Sequence, residues 1–324
     1  MAPVFQHVAL TDIACDGSPF VVTYRPALQA LQRSVARAGV RTPVHLRQEP
    51  GQPGYQVICG AKRWHACHGA GHATVPALIH SATELSHEQA FLLAVYDNVG
   101  CRVLNAVEKA RILLRLRDEF GYATAVLTAE FCPLLDLPPQ AETLVAYCAL
   151  ATLDEALQAG VVDGDLPLDT ALWIGRQPRE NLPALLALFT GLKLGSNRAR
   201  EFVAMLEDIC RRGGSNAAAV LQALHVPDIL AAPHLSGPQK IEQVRRVLHT
   251  ARYPRFSAYE QQFQEILRQL RLPAPVQLRP PPYFEGQQYQ VTFGFRTRQE
   301  LQQYAQRLLE AADHPACDDL LALL

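Results

Sequence analysis

Hydrophobic positions in the first eighty residues fall in short alternating runs separated by stretches of helical spacing. Residues 8–13 read as a strand. In ALQALQRSVARA (27–38), Leu28, Leu31, Val35 and Ala38 recur at the spacing of one helix face, with Gly39 where a C-cap belongs. PVHLR (43–47) and YQVIC (55–59) are two further strands, and the EPGQPG between them has the composition of a hairpin turn. Gly60 then opens a helical stretch ending at Gly69 and Gly71, and VPALI (75–79) supplies another strand. From about 84 to 120 the periodicity is helical, carried by Leu92, Val95, Val99 and Val103 and then Val107, Ile112, Leu113 and Leu116. Residues 118–272 continue as helices punctuated by Pro and Gly, which predicts a bundle with short connections. The run LPAPVQLRPPPYFEGQQ predicts a stiff extended linker over 273–288. Beyond it, YQVTFGF alternates as a strand and 297–312 reads as a final helix.

The fold class expected is therefore α+β: a mixed α/β domain over 1–117, an all-helical domain over 118–272, and a small strand-helix module over 289–324. At 324 residues, 49% hydrophobic and 19% charged, the chain has the composition of a globular protein, with length for two or three domains. No apolar run approaches the roughly 20 residues that span a bilayer, and the first residues lack the basic and apolar regions of a signal peptide. The expectation is a cytoplasmic protein with no membrane partner.

Eight cysteines are scattered without a CxxC pair, which fits reduced thiols packed as small hydrophobes. Cys59, His65, Cys67, His68 and His72 crowd together, and His68 with His72 has a spacing that can share a metal. Gly69 and Gly71 break the helix that this spacing requires, so the crowd is read as packing residues.

Charge is segregated along the chain. Residues 1–117 carry 12 Lys and Arg against 7 Asp and Glu, residues 118–175 none against 10, and residues 176–324 carry 18 against 14.

The ordered segments VALTDI, GVRTPVHLR, YQVICGAKRWHACHGAGHATVPALI and DNVGCRVLNAVEKA resemble the three boxes of the ParB family of partition proteins. QAETLVAYCALATLDEALQAGVV is similar to the second half of that family's helix-turn-helix, and YQVTFGFRTRQELQQYAQRLL to its dimerisation unit. The resemblance implies a ParB/sulfiredoxin-like N-terminal domain that binds CTP with Mg²⁺, closes a homodimer into a clamp on DNA, hydrolyses the nucleotide slowly and works with a ParA-like ATPase. Carried over box by box, it places nucleotide contacts at Gly39, Thr42, Pro43, Gly60, Lys62, Arg63, Asn98, Arg102, Asn105 and Glu108. It places the Mg²⁺ contact at Asn98 and the hydrolytic position at Asp97. A helix starting at Gly60 would offer free N–H groups to a phosphate, with Lys62 and Arg63 beside them. Ala61, Lys62 and His65 depart from the family's acidic and arginine positions. Asp97 is one methylene shorter than the family's Glu, Cys101 stands at an Arg position and Ala106 at a Pro. Lysine cannot make the bidentate phosphate fork of arginine.

The expected recognition helix, from about 140 to 153, holds neither Lys nor Arg, and Ala141 stands where the family commonly has Arg. Affinity for a duplex rests on neutralised phosphates, so this acidic stretch predicts weak or atypical DNA binding. A second place for DNA is the basic segment 240–279, where Arg245, Arg246, Arg252 and Arg255 are interleaved with Tyr253, Phe256 and Tyr259. Two alternatives remain open at this point: an enzyme of the same fold, nuclease or nucleotide-dependent phosphotransferase, and a non-catalytic scaffold whose acidic middle binds a basic protein.

Overall fold

The alternating runs of the N-terminal region assemble into a five-stranded sheet in the computed structural model, which describes residues 3–284 and 286–323. Met1, Ala2, Glu285 and Leu324 lie outside the described residues, including the outermost ends of the expected 1–117 and 289–324 segments and one position of the expected linker. In chain order the elements are β1 (Val4–Ala9), β2 (Ile13–Ala14), α1 (Gln29–Ala38), β3 (Val44–Gln48), β4 (Tyr55–Cys59), α2 (Ala61–Gly69) and β5 (Thr74–Ser81). The strands lie in the order β1-β5-β3-β4-β2. β3 and β4 form the expected antiparallel hairpin, whereas β3 and β5 are parallel neighbours. Parallel strands need a crossover, and α2 supplies it. The run 8–13 is not one strand: β1 ends at Ala9, Leu10–Asp12 forms a 3-10 turn, and β2 resumes alongside β4.

Successive residues of a strand face opposite sides, so one sheet serves two cores. Val57 joins Val35, Val44, Leu46, Trp64, Ala66, Val75 and Ala77 in a cluster with α1 and α2. Its neighbour Ile58 joins Phe20, Phe91, Ala94 and Val95 in a second cluster with α3 (His87–Cys101). The helical stretch expected over 84–120 is two helices. A Ser86–Gln89 capping box starts α3, which stops before Arg102, and an Asn105–Glu108 capping box starts α4 (Ala106–Asp118).

The second cluster continues without a break into Ile112, Leu113, Leu116, Leu127, Phe131, Leu144 and Cys148. These come from α4, from the helical turn Leu127–Phe131, which lies between α5 (Thr124–Val126) and α6 (Cys132–Leu134), and from α7 (Ala141–Ala151). With α8 (Glu155–Val162) and α9 (Leu168–Gly175) they belong to one compact unit, residues 1–182 with 193–196. No unit boundary falls at 117, because a shared core spans that position.

The second unit, 183–192 and 197–324, begins with α10 (Leu182–Leu192) and α11 (Ser196–Gly213), whose first residues fall in the other unit, followed by α12 (Ala217–Ala223), α13 (Val226–Ala231), α14 (Gly237–Arg252) and α15 (Pro254–Leu270). The 273–288 segment is not an extended linker. It holds β6 (Val276–Arg279), paired antiparallel with β7 (Gln290–Phe293), and a 3-10 turn over Pro282–Phe284. Alternation in VQLR competes with proline stiffness here, and the available partner strand decides the outcome. β7 thus has one edge satisfied by β6. Phe284 is buried with Phe263 and Ile266 of α15 and with Ala316 and Leu320 of α17 (Ala316–Leu321), and the Tyr289 ring stacks on Phe263 at 6.0 Å. The expected C-terminal helix is α16 (Arg298–Ala312), capped by Thr297 accepting from the Glu300 N–H. No helix among the described residues is long and apolar enough to cross a membrane.

Candidate functional site

The turn into α2 requires Gly60. Its φ is +95°, and a Cβ there would lie 2.9 Å from Val44 Cγ1 and 3.1 Å from the Arg63 guanidinium. No side chain caps the start of α2, so the leading amides of this nine-residue helix are available to an anion, which the helix dipole also favours. Gly39, three positions before Thr42, ends α1 at φ +67° and turns the chain toward β3.

Arg63 reaches back from α2 and donates to the carbonyls of Thr42 at 2.8 Å and Pro43 at 2.6 Å. These contacts tie the 39–43 turn to the helix start. Both lie on a cavity of about 450 Å³ whose wall includes Thr42, Gly60, Lys62, Arg63, Asp97, Asn98 and Arg102. That volume falls within the roughly 300–1,000 Å³ typical of small-molecule sites. Residues from three separate sequence boxes therefore meet around one space.

The pocket is cationic at one end. Burial pushes the Lys62 ammonium below its ordinary range, the Arg102 charge pushes it the same way, and Glu108 partly offsets both. Arg102 is paired with Glu108 at 2.6 Å, so Lys62 and Arg63 are the cations of this wall left to meet phosphate oxygens. Asp97 brings the carboxylate, and its charge together with burial raises the Cys59 thiol beneath it.

Asn98, Asn105 and Glu108 do something different from direct ligand contact as they stand. Asn98 Oδ1 accepts from Arg102 Nε at 2.8 Å, and its amide donates to Ala94 O. A metal ion would therefore have to displace Arg102 to reach this oxygen. Glu108 is 1% exposed. Its carboxylate accepts from Tyr24 N at 3.0 Å, from Asn105 N at 3.0 Å and from Arg102 Nη1 at 2.6 Å. Asn105 in turn accepts from Glu108 N and donates to Tyr24 O. The pair is a brace behind the pocket: it fixes Arg102 and the strap at Thr23–Tyr24 to the start of α4.

The sequence did not single out Phe20, Val21, Val22 and Thr23, which supply the apolar side of the cavity with Leu31 and Ile58. They lie in irregular backbone, where neither periodicity marks them; the SPFVVT composition alone signals apolar residues in a loop.

Next to the site, His45 of β3 and His80 of β5 stack with Nδ1 and Nε2 3.1 Å apart. Burial lowers both, and for His45 the second ring and Arg63 lower it further while Asp97 opposes. The unfolded chain takes up protons near the ordinary value of about 6.5 that the folded chain refuses, so stability falls as pH drops through that range. Urea unfolding is expected at a lower midpoint at pH 5.5 than at pH 7.5, with the gap narrowed in His80→Asn. An equal gap in that variant would assign the acid sensitivity elsewhere.

The expected DNA arginines lie in the second unit. Arg245 pairs with Glu201 at 2.7 Å and Arg252 with Asp208 at 2.5 Å, so both charges are locally compensated. Among the described residues no carboxylate pairs with Arg246 or Arg255, and both are exposed. Arg252 and Arg255 also line a groove of about 970 Å³ with Arg212, His249, Tyr253 and Tyr259. α7 occupies the position of the expected recognition helix, with Leu144, Cys148 and Leu150 buried.

Comparison with known proteins matches residues 4–99 to the ParB N-terminal domain. The chain is 31% identical over 158 residues to the chromosome-partitioning protein ParB of Myxococcus xanthus, covering 49% of each. It is 40% identical over 95 residues to a probable chromosome-partitioning protein ParB of Neisseria meningitidis, covering 29% of this chain and 32% of that one. The chain thus spans about half the length, or less, of these curated relatives. Among solved structures, a C-terminally truncated ParB of Caulobacter crescentus complexed with CTP-γ-S aligns over 56% of this chain and 97% of its own at 20% identity and TM-score 0.27. The same protein complexed to the centromeric parS site aligns over 60% and 95% at 19% identity and TM-score 0.35. Superpositions this loose transfer no function.

Proposed function

We propose that this chain, whose residues 4–99 match the ParB N-terminal domain, is a dimeric ParB-family partition protein that binds CTP with its Mg²⁺ in the pocket between α2 and α3. The observation that carries this reading is the uncapped start of α2, with Lys62 and Arg63 in its first turn, sharing one cavity with Arg102. The triphosphate takes the α2 amides and these cations, and the apolar wall from Phe20 to Val22 receives the base and sugar. Asp97 supplies the carboxylate for the nucleotide's magnesium and for orienting a water. Nucleotide binding would draw the 39–43 turn and the α2 start onto one ligand.

In the same reading, contact with DNA comes from cations outside 118–175, with Arg246 and Arg255 among the arginines of the 240–279 segment that no carboxylate of the described residues pairs. Such contacts position a duplex without reading its sequence. The dimer forms through the C-terminal strand-helix region, where α16 buries none of its residues.

Calorimetry with each of the four ribonucleoside triphosphates and Mg²⁺ tests the central claim. CTP is expected to bind, and Arg63→Ala to weaken it tenfold or more, the consequence of losing a charge-assisted hydrogen bond of about 1.5–3 kcal/mol. Unchanged affinity in Arg63→Ala would remove the site assignment.

A further inference from the structure

We propose that Cys15, Asp16 and His65 form a zinc-binding site on the N-terminal domain, where the end of β2 meets α2. Cys15 and Asp16 are neighbours in the chain, and the fold brings His65, 50 positions from Cys15, against them. β2 pairs in parallel with β4, placing Ile13 opposite Tyr55 and Ala14 opposite Gln56. β4 runs through Gly60 into α2, which carries His65 back over the end of β2. One ligand atom from each residue lies within 4.8 Å of the other two, and among the described residues this is the one such group of His, Cys and acidic side chains.

The spacings also suit a shared ion: the thiol and the imidazole are within hydrogen-bonding reach of each other, and the carboxylate stands beside them. His65 Nε2 lies 3.8 Å from Cys15 Sγ and 3.6 Å from Asp16 Oδ1. Two donors each about 2.0–2.3 Å from a tetrahedral ion stand about 3.3–3.6 Å apart. A firm hydrogen bond to the carboxylate would be shorter than the observed separation. His65 Nε2 therefore faces both a sulfur, with which it shares a hydrogen bond, and a carboxylate oxygen just beyond that range.

The donor set selects the ion. One thiolate, one imidazole and one carboxylate suit zinc, whereas calcium and magnesium take all-oxygen shells. Cys15 is buried and fixed by the fold, while the Asp16 side chain is 84% exposed, so it can move onto the ion at little cost. When the zinc–sulfur bond forms, the thiol proton leaves to solvent; no oxidant or reductant takes part. Three protein donors leave a fourth position, on the exposed side, for water or an external ligand. The His68/His72 pair takes no part: α2 ends at Gly69, so His72 lies off the helix.

The test uses the full chain with its thiols reduced, titrated with zinc chloride by calorimetry and with cobalt chloride by absorption. We expect one equivalent of zinc bound at micromolar or tighter concentration, an order-of-magnitude choice for a three-ligand site. Cobalt should show a thiolate charge-transfer band and tetrahedral d–d absorption. His65→Ala and Cys15→Ser are each expected to weaken binding at least about a hundredfold, since loss of even an outer-shell partner commonly costs 10–100-fold. His68→Ala should change nothing. Asp16→Asn, at an exposed position, keeps the test decisive if Cys15→Ser fails to fold, and should weaken zinc binding at least about tenfold. Stoichiometric binding that survives in His65→Ala and Asp16→Asn, or only weak uptake of several equivalents by the unaltered chain, would overturn the proposal.

Discussion

Glu108→Ala is expected to destabilise the N-terminal unit by about 3–5 kcal/mol, the cost of breaking a buried ion pair by removing one partner. The carboxylate satisfies two backbone amides, those of Tyr24 and Asn105, and compensates the Arg102 guanidinium, all in a position closed to water. Alanine leaves those donors buried without acceptors and leaves Arg102 free to swing from Asn98. The companion change Asn105→Ala removes the N-cap acceptor but no buried charge, so about 1 kcal/mol is expected. Urea unfolding followed by circular dichroism measures both. If the two variants lost equal stability, Glu108 would be no more than a helix cap, and its place as the brace of the pocket would be wrong.

This chain with Leu301→Glu and Leu309→Glu together is expected to sediment as a monomer at concentrations of about ten micromolar, where the unaltered chain is expected to sediment as a dimer; the concentration is an order-of-magnitude choice for interface affinities. Leu309 is 61% exposed and Leu301 37%, on a helix with no buried residue. Val291 and Phe295 add exposed apolar surface nearby in sequence. β7 has β6 on one side only, so its other edge is open to a second copy. An apolar helix face beside an open strand edge suits a two-fold pairing in which both are covered at once. Point charges are the better probe because deleting 289–324 would also strip Tyr289, Ala316 and Leu320 from the core around Phe263. A dimer that persists in the double variant would place the interface elsewhere.

What the sequence determined by itself was local. Gly39 and Gly60 mark turns because each has a positive φ that a glycine adopts without strain, and the alternating runs around them became β3, β4 and β5 with ends within a residue or three of those read from the pattern. Seven of the site residues expected from the motif segments, Thr42, Gly60, Lys62, Arg63, Asp97, Asn98 and Arg102, line the pocket. Tertiary structure decided everything that depends on what a residue meets. Residues 273–288 look like a stiff linker until β7 offers β6 a partner, and no run of prolines can report that. The boundary expected at 117 vanished because Phe91, Ile112 and Phe131 share one core across it. Glu108 and Asn105 read as ligand contacts and act as a brace, since burial and the Tyr24 backbone claim their polar atoms first. Cys15 and His65 are fifty positions apart, and only the parallel pairing of β2 with β4 sets them side by side. Periodicity reports which face of an element is apolar; which groups meet across the space between elements is fixed by strand order and helix crossover.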